Sequence, residues 1–262
     1  MEPILTINNV TKRFGGLLAL SDVTFTIPRG KIFGLIGPNG AGKTTMFNCI
    51  TGVYKPTEGD LLLSMNGSQV RTNGRKPEQM TELGVARTFQ NIRLFASLTV
   101  LDNVRLGRHC RTRSNFFGAV LRTRAQKAEE QAIIDRSMEW LDFVGLRRMA
   151  LKPASSLSYG DQRRLEIARA LATEPALLLL DEPAAGMNPS ETAALDDLIH
   201  RILAKDVTVV LIEHDMKLVM SICDTLVVLD HGTKIADGAP RAIKDDPRVI
   251  EAYLGRGAAA NA

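Results

Sequence analysis

The chain has 262 residues, 45% of them hydrophobic and 24% charged, with a formal net charge of +4. This is the composition of an ordinary globular domain, and it excludes a low-complexity or disordered chain. The three cysteines, Cys49, Cys110 and Cys223, are too few and too scattered for a disulfide framework or a metal knuckle, and are expected as reduced thiols. The opening stretch MEPILTINNV lacks the charged leader and apolar core of a secretory signal. No apolar run approaches the roughly 20 residues that cross a bilayer, so any work at a membrane needs spans from another chain.

The first ninety residues read as β-rich, with short strand-like runs at 4–10, 23–27, 31–36 and 59–65 and a further strand, VARTFQ, that Gln90 closes. From residue 100 to 170 the pattern turns helical. Apolar residues Ala128, Ile133, Ile134, Met138 and Leu141 recur near a 3.6 period across 125–144. Compact apolar strands then return as LLLLD, TVVLIEH and DTLVVLD, with a helix over 190–204 between the first two. Strands alternating with helices predict a parallel sheet covered on both faces, and the helical middle reads as a subdomain inserted near residues 91 and 165. Residues 103–128 carry seven Lys or Arg and no acid. That stretch is either a solvated surface or one that lies near anionic headgroups or nucleic acid, and no aromatic interleaving favours nucleic acid.

The strongest chemical signal is KIFGLIGPNGAGKTTMF, a strand, a glycine-rich turn and a helix. Gly37, Pro38, Asn39, Gly40, Ala41, Gly42, Lys43, Thr44 and Thr45 fit a phosphate cradle. Glycines let the backbone wrap a phosphate chain, Lys43 reaches the terminal phosphates, and the Thr44 hydroxyl suits Mg²⁺. The ion also needs a carboxylate from a neighbouring strand. Asp181, at the end of the buried run LLLLD, supplies it where ligands bind in such sheets. Glu182, next in sequence, is positioned as a general base that activates water against a γ-phosphate. Gln90, which ends VARTFQ, and His214, which follows TVVLIE, are candidates for sensing that phosphate. In LSYGDQRRLEIARAL, Ser158 is the expected N-cap of a helix, and Gly160 leaves that helix start open to an anion. Ser158 and Asp161 also fit the capping-box spacing.

Taken in order, these motifs resemble the nucleotide-binding subunits of ABC transporters over about residues 4–254. The resemblance rests on an aromatic near the start (Phe14), the Walker A loop, Gln90 as the Q-loop, LSYGD as the signature, the Walker B strand with Glu182, AAGMNP as the D-loop and His214 as the switch histidine. It implies an α/β fold: a P-loop NTPase core with a mostly parallel sheet (4–91 and 166–254), an N-terminal antiparallel β subdomain and an inserted helical subdomain (92–165), ahead of a disordered tail (255–262). It further implies head-to-tail pairing of two ATPase subunits, with each ATP held by Phe14 and the Walker A loop of one and by Ser158 and Gly160 of the other. Mg²⁺ is then implied on Thr44, Gln90 and Asp181, and hydrolysis at Glu182 with His214 and Gln90.

Tyr159, Asp161 and Asn188 depart from the commonest family pattern. They are usual in the ATPases of bacterial branched-chain amino acid importers, which ARTFQNIRLFASLTVLDNV, DEPAAGMNPSET, LIEHDMKLVM and VIEAYLG also resemble. That likeness implies a second ATPase subunit (a homodimer or a heterodimer), two membrane permeases and a periplasmic substrate-binding protein. It places the chain peripherally on the cytoplasmic face of the inner membrane, with Arg93, Leu94 and Phe95 facing a permease. Related ATPases for urea or amide import and for lipopolysaccharide export are similar. A soluble ABC ATPase acting on nucleic acid or the ribosome is disfavoured, because Lys43 and Asp181 are 138 residues apart with no sustained heptads between them and only one cassette is present. A P-loop kinase needs neither the signature helix nor the switch histidine.

Overall fold

The computed structural model describes residues 2–65, 67–108, 110 and 124–254. Two sheets form its frame. The first is antiparallel, in the order β2-β1-β4-β5, from β1 (Pro3–Phe14), β2 (Leu17–Pro28), β4 (Glu58–Met65) and β5 (Ser68–Arg71). The second has the order β10-β9-β3-β8-β7-β6, from β3 (Ile32–Ile36), β6 (Val85–Arg87), β7 (Leu177–Asp181), β8 (Thr208–Ile212), β9 (Thr225–Asp230) and β10 (Thr233–Gly238). Its strands run parallel except for the edge strand β10.

Strands β3, β7 and β8 are buried at every position, as expected of a parallel strand covered on both faces. Their residues alternate between two cores. Ile32, Ile36, Leu178, Leu180, Val209 and Leu211 face one. Phe33, Leu35, Leu177, Leu179, Val210 and Ile212 face the other. This is the period-2 geometry of a strand, and each fully buried apolar side chain contributes about 1.5–3 kcal/mol. The second core lies between the two sheets and contains Met46, Phe47, Cys49 and Ile50 of α1 (Lys43–Ile50). The helix that follows the phosphate cradle is therefore clamped in the middle layer. Burial pushes the Cys49 and Cys223 thiols up to about 11 and about 12, and Cys110 is half-buried.

The other core joins the sheet to α3 (Val100–Arg108), α4 (Arg124–Phe143), α5 (Tyr159–Leu171), α6 (Pro189–Leu203) and α7 (Met216–Ile222); the short α2 (Pro77–Glu82) packs Met80 into the inter-sheet core. Residues 145–158 are irregular, with two short 3₁₀ turns. The chain closes with α8 (Pro240–Lys244) and α9 (Pro247–Leu254).

Two expectations need correction. Gln90 does not close a strand. Pairing ends at Arg87, with one last bond from the Thr88 N–H to the Leu179 carbonyl at 2.9 Å, and the Phe89 and Gln90 carbonyls turn instead to Arg163 at 2.6 Å each. Strand β2 starts at Leu17, earlier than its apolar run, because Leu17 and Leu18 pair with Phe14 and Arg13 across a hairpin. Strand β10, polar in sequence, forms because His231 (φ 43°) and Gly232 (φ 78°) make a tight reversal after β9. In the basic stretch, Arg105 pairs with Asp102 and Glu130, and Arg108 with Glu174, which supports a solvated surface there. Arg111, Arg113 and Arg122 lie outside the described residues, as does the tail 255–262. No helix among the described residues is long and apolar enough to cross a membrane.

Candidate active site

Backbone conformation builds the cradle between β3 and α1. Gly37 adopts φ 148°, and a Cβ there would meet the Leu229 carbonyl oxygen at 2.1 Å, so only glycine lets the loop leave the sheet at this point. The Gly232 N–H donates to the Ala41 carbonyl at 3.0 Å, pinning the loop to the β9–β10 turn. Gly42, the N-cap of α1, provides no side-chain cap, which leaves the first N–H groups of the helix for an anion. Buried Lys43 folds its amine onto the Gly37 and Pro38 carbonyls at 2.6 and 2.8 Å. Burial holds its pKa below the ordinary lysine value, and the Glu182 and Asp181 carboxylates oppose the shift. A polyphosphate beside this amine acts in the same sense as those carboxylates and favours the charged form.

One cleft of about 560 Å³ is lined by Phe14, Leu17, Leu18, Asn39, Gly40, Ala41, Gly42, Lys43, Thr44, Thr45, Gln90, Glu182 and His214. Phe14 is partly exposed and stands edge-to-face on Tyr54 (centroids 5.0 Å, 76°), with the Lys12 ammonium 4.8 Å from its ring centroid. Its ring is thereby braced at the cleft mouth. Pro38 and Asn39 also border a neighbouring hollow against Arg248 of α9.

At the far end Glu182 is clasped from both sides. The Gln90 side-chain amide donates to Oε2 at 2.8 Å, and His214 Nε2 donates to Oε1 at 2.6 Å. Glu182 sits in the left-handed region with φ 47°, a conformation that costs a non-glycine residue about 1 kcal/mol or more and clusters at functional sites. Its N–H donates to the Ile212 carbonyl at 2.9 Å, which holds the residue against β8. The carboxylate is thus fixed by Gln90 and His214.

Asp181 is buried at the end of β7, beside the cleft, and its Oδ2 pairs with Arg87 at 2.6 Å. The described residues hold no cluster of three or more His, Cys, Asp or Glu that could bind a metal alone. The donors present, the Thr44 hydroxyl, the Gln90 amide and one carboxylate, fit a hard cation such as Mg²⁺ that takes its remaining oxygens from phosphates and water rather than from a protein cage.

Ser158 and Gly160 are elsewhere. With Asp161, Arg164, Met187 and Glu191 they line a separate groove of about 360 Å³ between α5 and α6. Ser158 Oγ caps α5 by accepting from the Asp161 N–H at 3.2 Å. Asp161 turns down the helix to pair with Arg164, which takes its charge away from the helix start. A Cβ on Gly160 would come within 2.8 Å of Glu191 Oε1. Asn188 caps α6, with Oδ1 accepting from the Ser190 and Glu191 N–H groups at 3.0 Å each.

Sequence reasoning missed four polar residues that hold this site. Glu213, buried, accepts from the Ala184 N–H at 2.7 Å and the His214 N–H at 3.1 Å, tying the segment after Glu182 to His214. Arg163 and Glu166 form a fully buried pair at 3.1 Å on α5. Arg163 grips the Phe89 and Gln90 carbonyls, and Glu166 accepts from the Phe89 and Arg93 N–H groups at 3.4 and 3.3 Å. The signature helix and the Gln90 loop are therefore joined main chain to side chain. Arg87 is the fourth. The only sequence signal for these was charge inside otherwise apolar elements, such as the i, i+3 spacing of Arg163 and Glu166.

Residues 20–185 match the family model for ABC transporters, and residues 233–259 match that for branched-chain amino acid ATP-binding cassette transporters. The chain belongs to the ABC transporter ATPase family. Within it, the chain is 47% identical over 255 residues to the high-affinity branched-chain amino acid transport ATP-binding protein LivG of Salmonella typhimurium strain LT2, covering 97% of this chain and 98% of that one. Among solved structures it superimposes on a nucleotide-free ATP-binding cassette from an ABC transporter with TM-score 0.83 at 31% identity, covering 97% of this chain and 100% of that one. It also superimposes on a bacterial cassette solved as a dimer with TM-score 0.74 at 28% identity, covering 90% and 99%. The α/β fold and the ATPase assignment made from the motifs both hold.

Proposed function

We propose that this ATPase powers import of branched-chain amino acids. The observation that carries the site assignment is the clasp of Glu182 between Gln90 and His214 at the end of the cleft that Lys43 and its loop begin. ATP lies along that cleft, its adenine against Phe14 and its phosphates in residues 37–45. Mg²⁺, held by Thr44, Gln90 and Asp181, neutralises phosphate charge when bound. Glu182 accepts the proton of a water as that water attacks the γ-phosphorus, and the bond from phosphorus to the β–γ bridging oxygen breaks to release ADP. His214 and Gln90 transfer their hydrogen bonds from Glu182 to the γ-phosphate, so that they report whether it is present.

Ser158 and Gly160 lie outside the cleft and serve a second ATPase subunit across a head-to-tail interface. ATP then binds the paired state better than the separated one, and hydrolysis removes that preference. On the other side, a groove of about 400 Å³ lined by Phe89, Phe95, Leu106 and Ala170 receives a permease segment. Of the three residues expected there, Phe95 is exposed, Leu94 packs on the core, and Arg93 lies over the Phe89 ring at 4.5 Å. The subunit then sits peripherally on the cytoplasmic face of the inner membrane, with two permeases and a periplasmic binding protein completing the importer.

In its native cell, a Glu182→Gln allele lowers uptake of labelled leucine to the background of a deletion strain, and the tagged variant recovered from ATP-treated membranes carries two permeases and a second ATPase subunit. Unchanged leucine uptake, with loss of urea, amide or lipopolysaccharide traffic instead, contradicts the cargo. Recovery of ribosomal or DNA-bound proteins without permeases contradicts the transporter.

A further inference from the structure

Arg87, inside the stretch VARTFQ, has no role among those assigned to the nucleotide and cation, yet its side chain is nearly buried and touches three of the elements that build the site. One guanidinium nitrogen donates to Asp181 Oδ2 at 2.6 Å, at the end of β7. The other donates to Asn48 Oδ1 at 2.5 Å, on α1. The Phe47 and Phe89 rings flank the group, each with its centroid 5.6 Å away, and Nε finds no hydrogen-bond partner among the described residues. The Asp181 and Arg87 side chains are 5% and 9% exposed, so this is a desolvated ion pair rather than a surface one. A buried carboxylate needs a counter-ion or hydrogen-bond donors. The nearby Lys43 amine does not supply it by hydrogen bonding, because it is spent on Gly37 and Pro38.

We propose that Arg87 is the resident counter-ion of Asp181 and competes with the divalent cation for that carboxylate. The inference rests on the reading of Asp181 as a cation ligand. Arg87 takes one oxygen and neutralises the charge, leaving the second oxygen to a metal. The protein's own affinity for the cation is thereby kept low, and a cation stays only when the nucleotide's phosphates add their charge. Arg87 is thus a positioning residue: it acts on the reaction through Asp181 and sets the order in which cation and nucleotide become bound. The flat guanidinium, wedged between two rings and hydrogen-bonded at both ends, holds Asp181 in one orientation while doing so.

The test uses the full chain with the β,γ-imido analogue of ATP and Mn²⁺ as the probe, reading bound Mn²⁺ by electron paramagnetic resonance with protein in excess over nucleotide. Arg87→Met is expected to bind Mn²⁺ roughly tenfold or more tightly, because a unit positive charge one hydrogen bond from a ligand repels a doubly charged ion even under solvent screening. Arg87→Lys, which keeps the charge, is expected to stay within about threefold of the unmodified chain. Far-ultraviolet circular dichroism and a cooperative melt report that both variants are folded, and nucleotide affinity in EDTA is measured alongside so that Mn²⁺ affinity is referred to the nucleotide-bound form. In thermal unfolding, Arg87→Met is expected to lose melting temperature without cation and to recover more of it with Mn²⁺ and nucleotide than the unmodified chain gains. Mn²⁺ affinity that is unchanged or weaker in Arg87→Met overturns the proposal while leaving the cation site intact, provided that Asp181→Asn loses Mn²⁺. If Asp181→Asn keeps full Mn²⁺ affinity, the ligand assignment itself fails and the proposal goes with it.

Discussion

Replacing Glu182 with Gln is expected to lower ATP turnover by about three orders of magnitude while ATP affinity changes by only a few fold. The reason lies in the clasp. A glutamine amide keeps the size of the side chain and can still hydrogen-bond to Gln90 or His214, but it cannot take a proton from water. The variant therefore reaches the ATP-bound state and stops there. Single-turnover measurements separate the chemical step from binding, and light scattering is expected to show an ATP-dependent dimer. Turnover within tenfold of the unmodified protein would remove Glu182 from the role of base and leave its φ of 47° without a functional account.

Lys43→Ala is the second large effect. The Lys43 amine is the one cation of the cradle, buried against the Gly37 and Pro38 carbonyls and poised to exchange them for phosphate oxygens. Charge-assisted hydrogen bonds contribute about 1.5–3 kcal/mol each, so losing two corresponds to at least a hundredfold in affinity. Calorimetry is expected to show ATP binding weakened by that factor or more, while the nucleotide-free variant still unfolds cooperatively at a somewhat lower melting temperature, because the Gly37 and Pro38 carbonyls lose their partner. Equal affinity in the variant and the unmodified chain would mean that phosphates do not lie in residues 37–45.

Much of the fold was legible in the sequence because the two strongest signals are local. The all-apolar runs of β3, β7 and β8 and the glycines between Gly37 and Gly42 each report on their own conformation. Gln90, Glu182 and His214 could be placed at one end of the sheet because each ends or follows an apolar strand-like run, and ligands bind at the carboxyl ends of parallel strands. What could not be read were pairings between residues far apart in sequence. Arg87 meets Asp181 from 94 positions away, and Arg163 meets Gln90 from 73. A charged residue inside an apolar element signals only that a partner exists, not which one. The end of β6 is hidden in the sequence for the same reason. VARTFQ reads as a strand throughout, and its last residues leave the sheet where Arg163 and Glu166 of a distant helix hold their backbone. The polar strand β10 had no apolar pattern to announce it and depends on the turn at His231 and Gly232.

The central claim is that ATP is hydrolysed at a site built from two subunits, with Ser158 and Gly160 acting from across the interface. The placement of these residues in a groove apart from the Walker A cleft makes this testable with one variant. In the membrane-extracted complex, Ser158→Arg puts a long side chain at the exposed N-cap of α5, the surface that would meet the other subunit's γ-phosphate. The measurement is ATP affinity of the isolated chain alongside turnover of the complex. The expected result is affinity within about twofold of the unmodified chain and turnover reduced at least tenfold. Unchanged affinity with full turnover would contradict the composite site and leave α5 as a capped helix with no part in the chemistry.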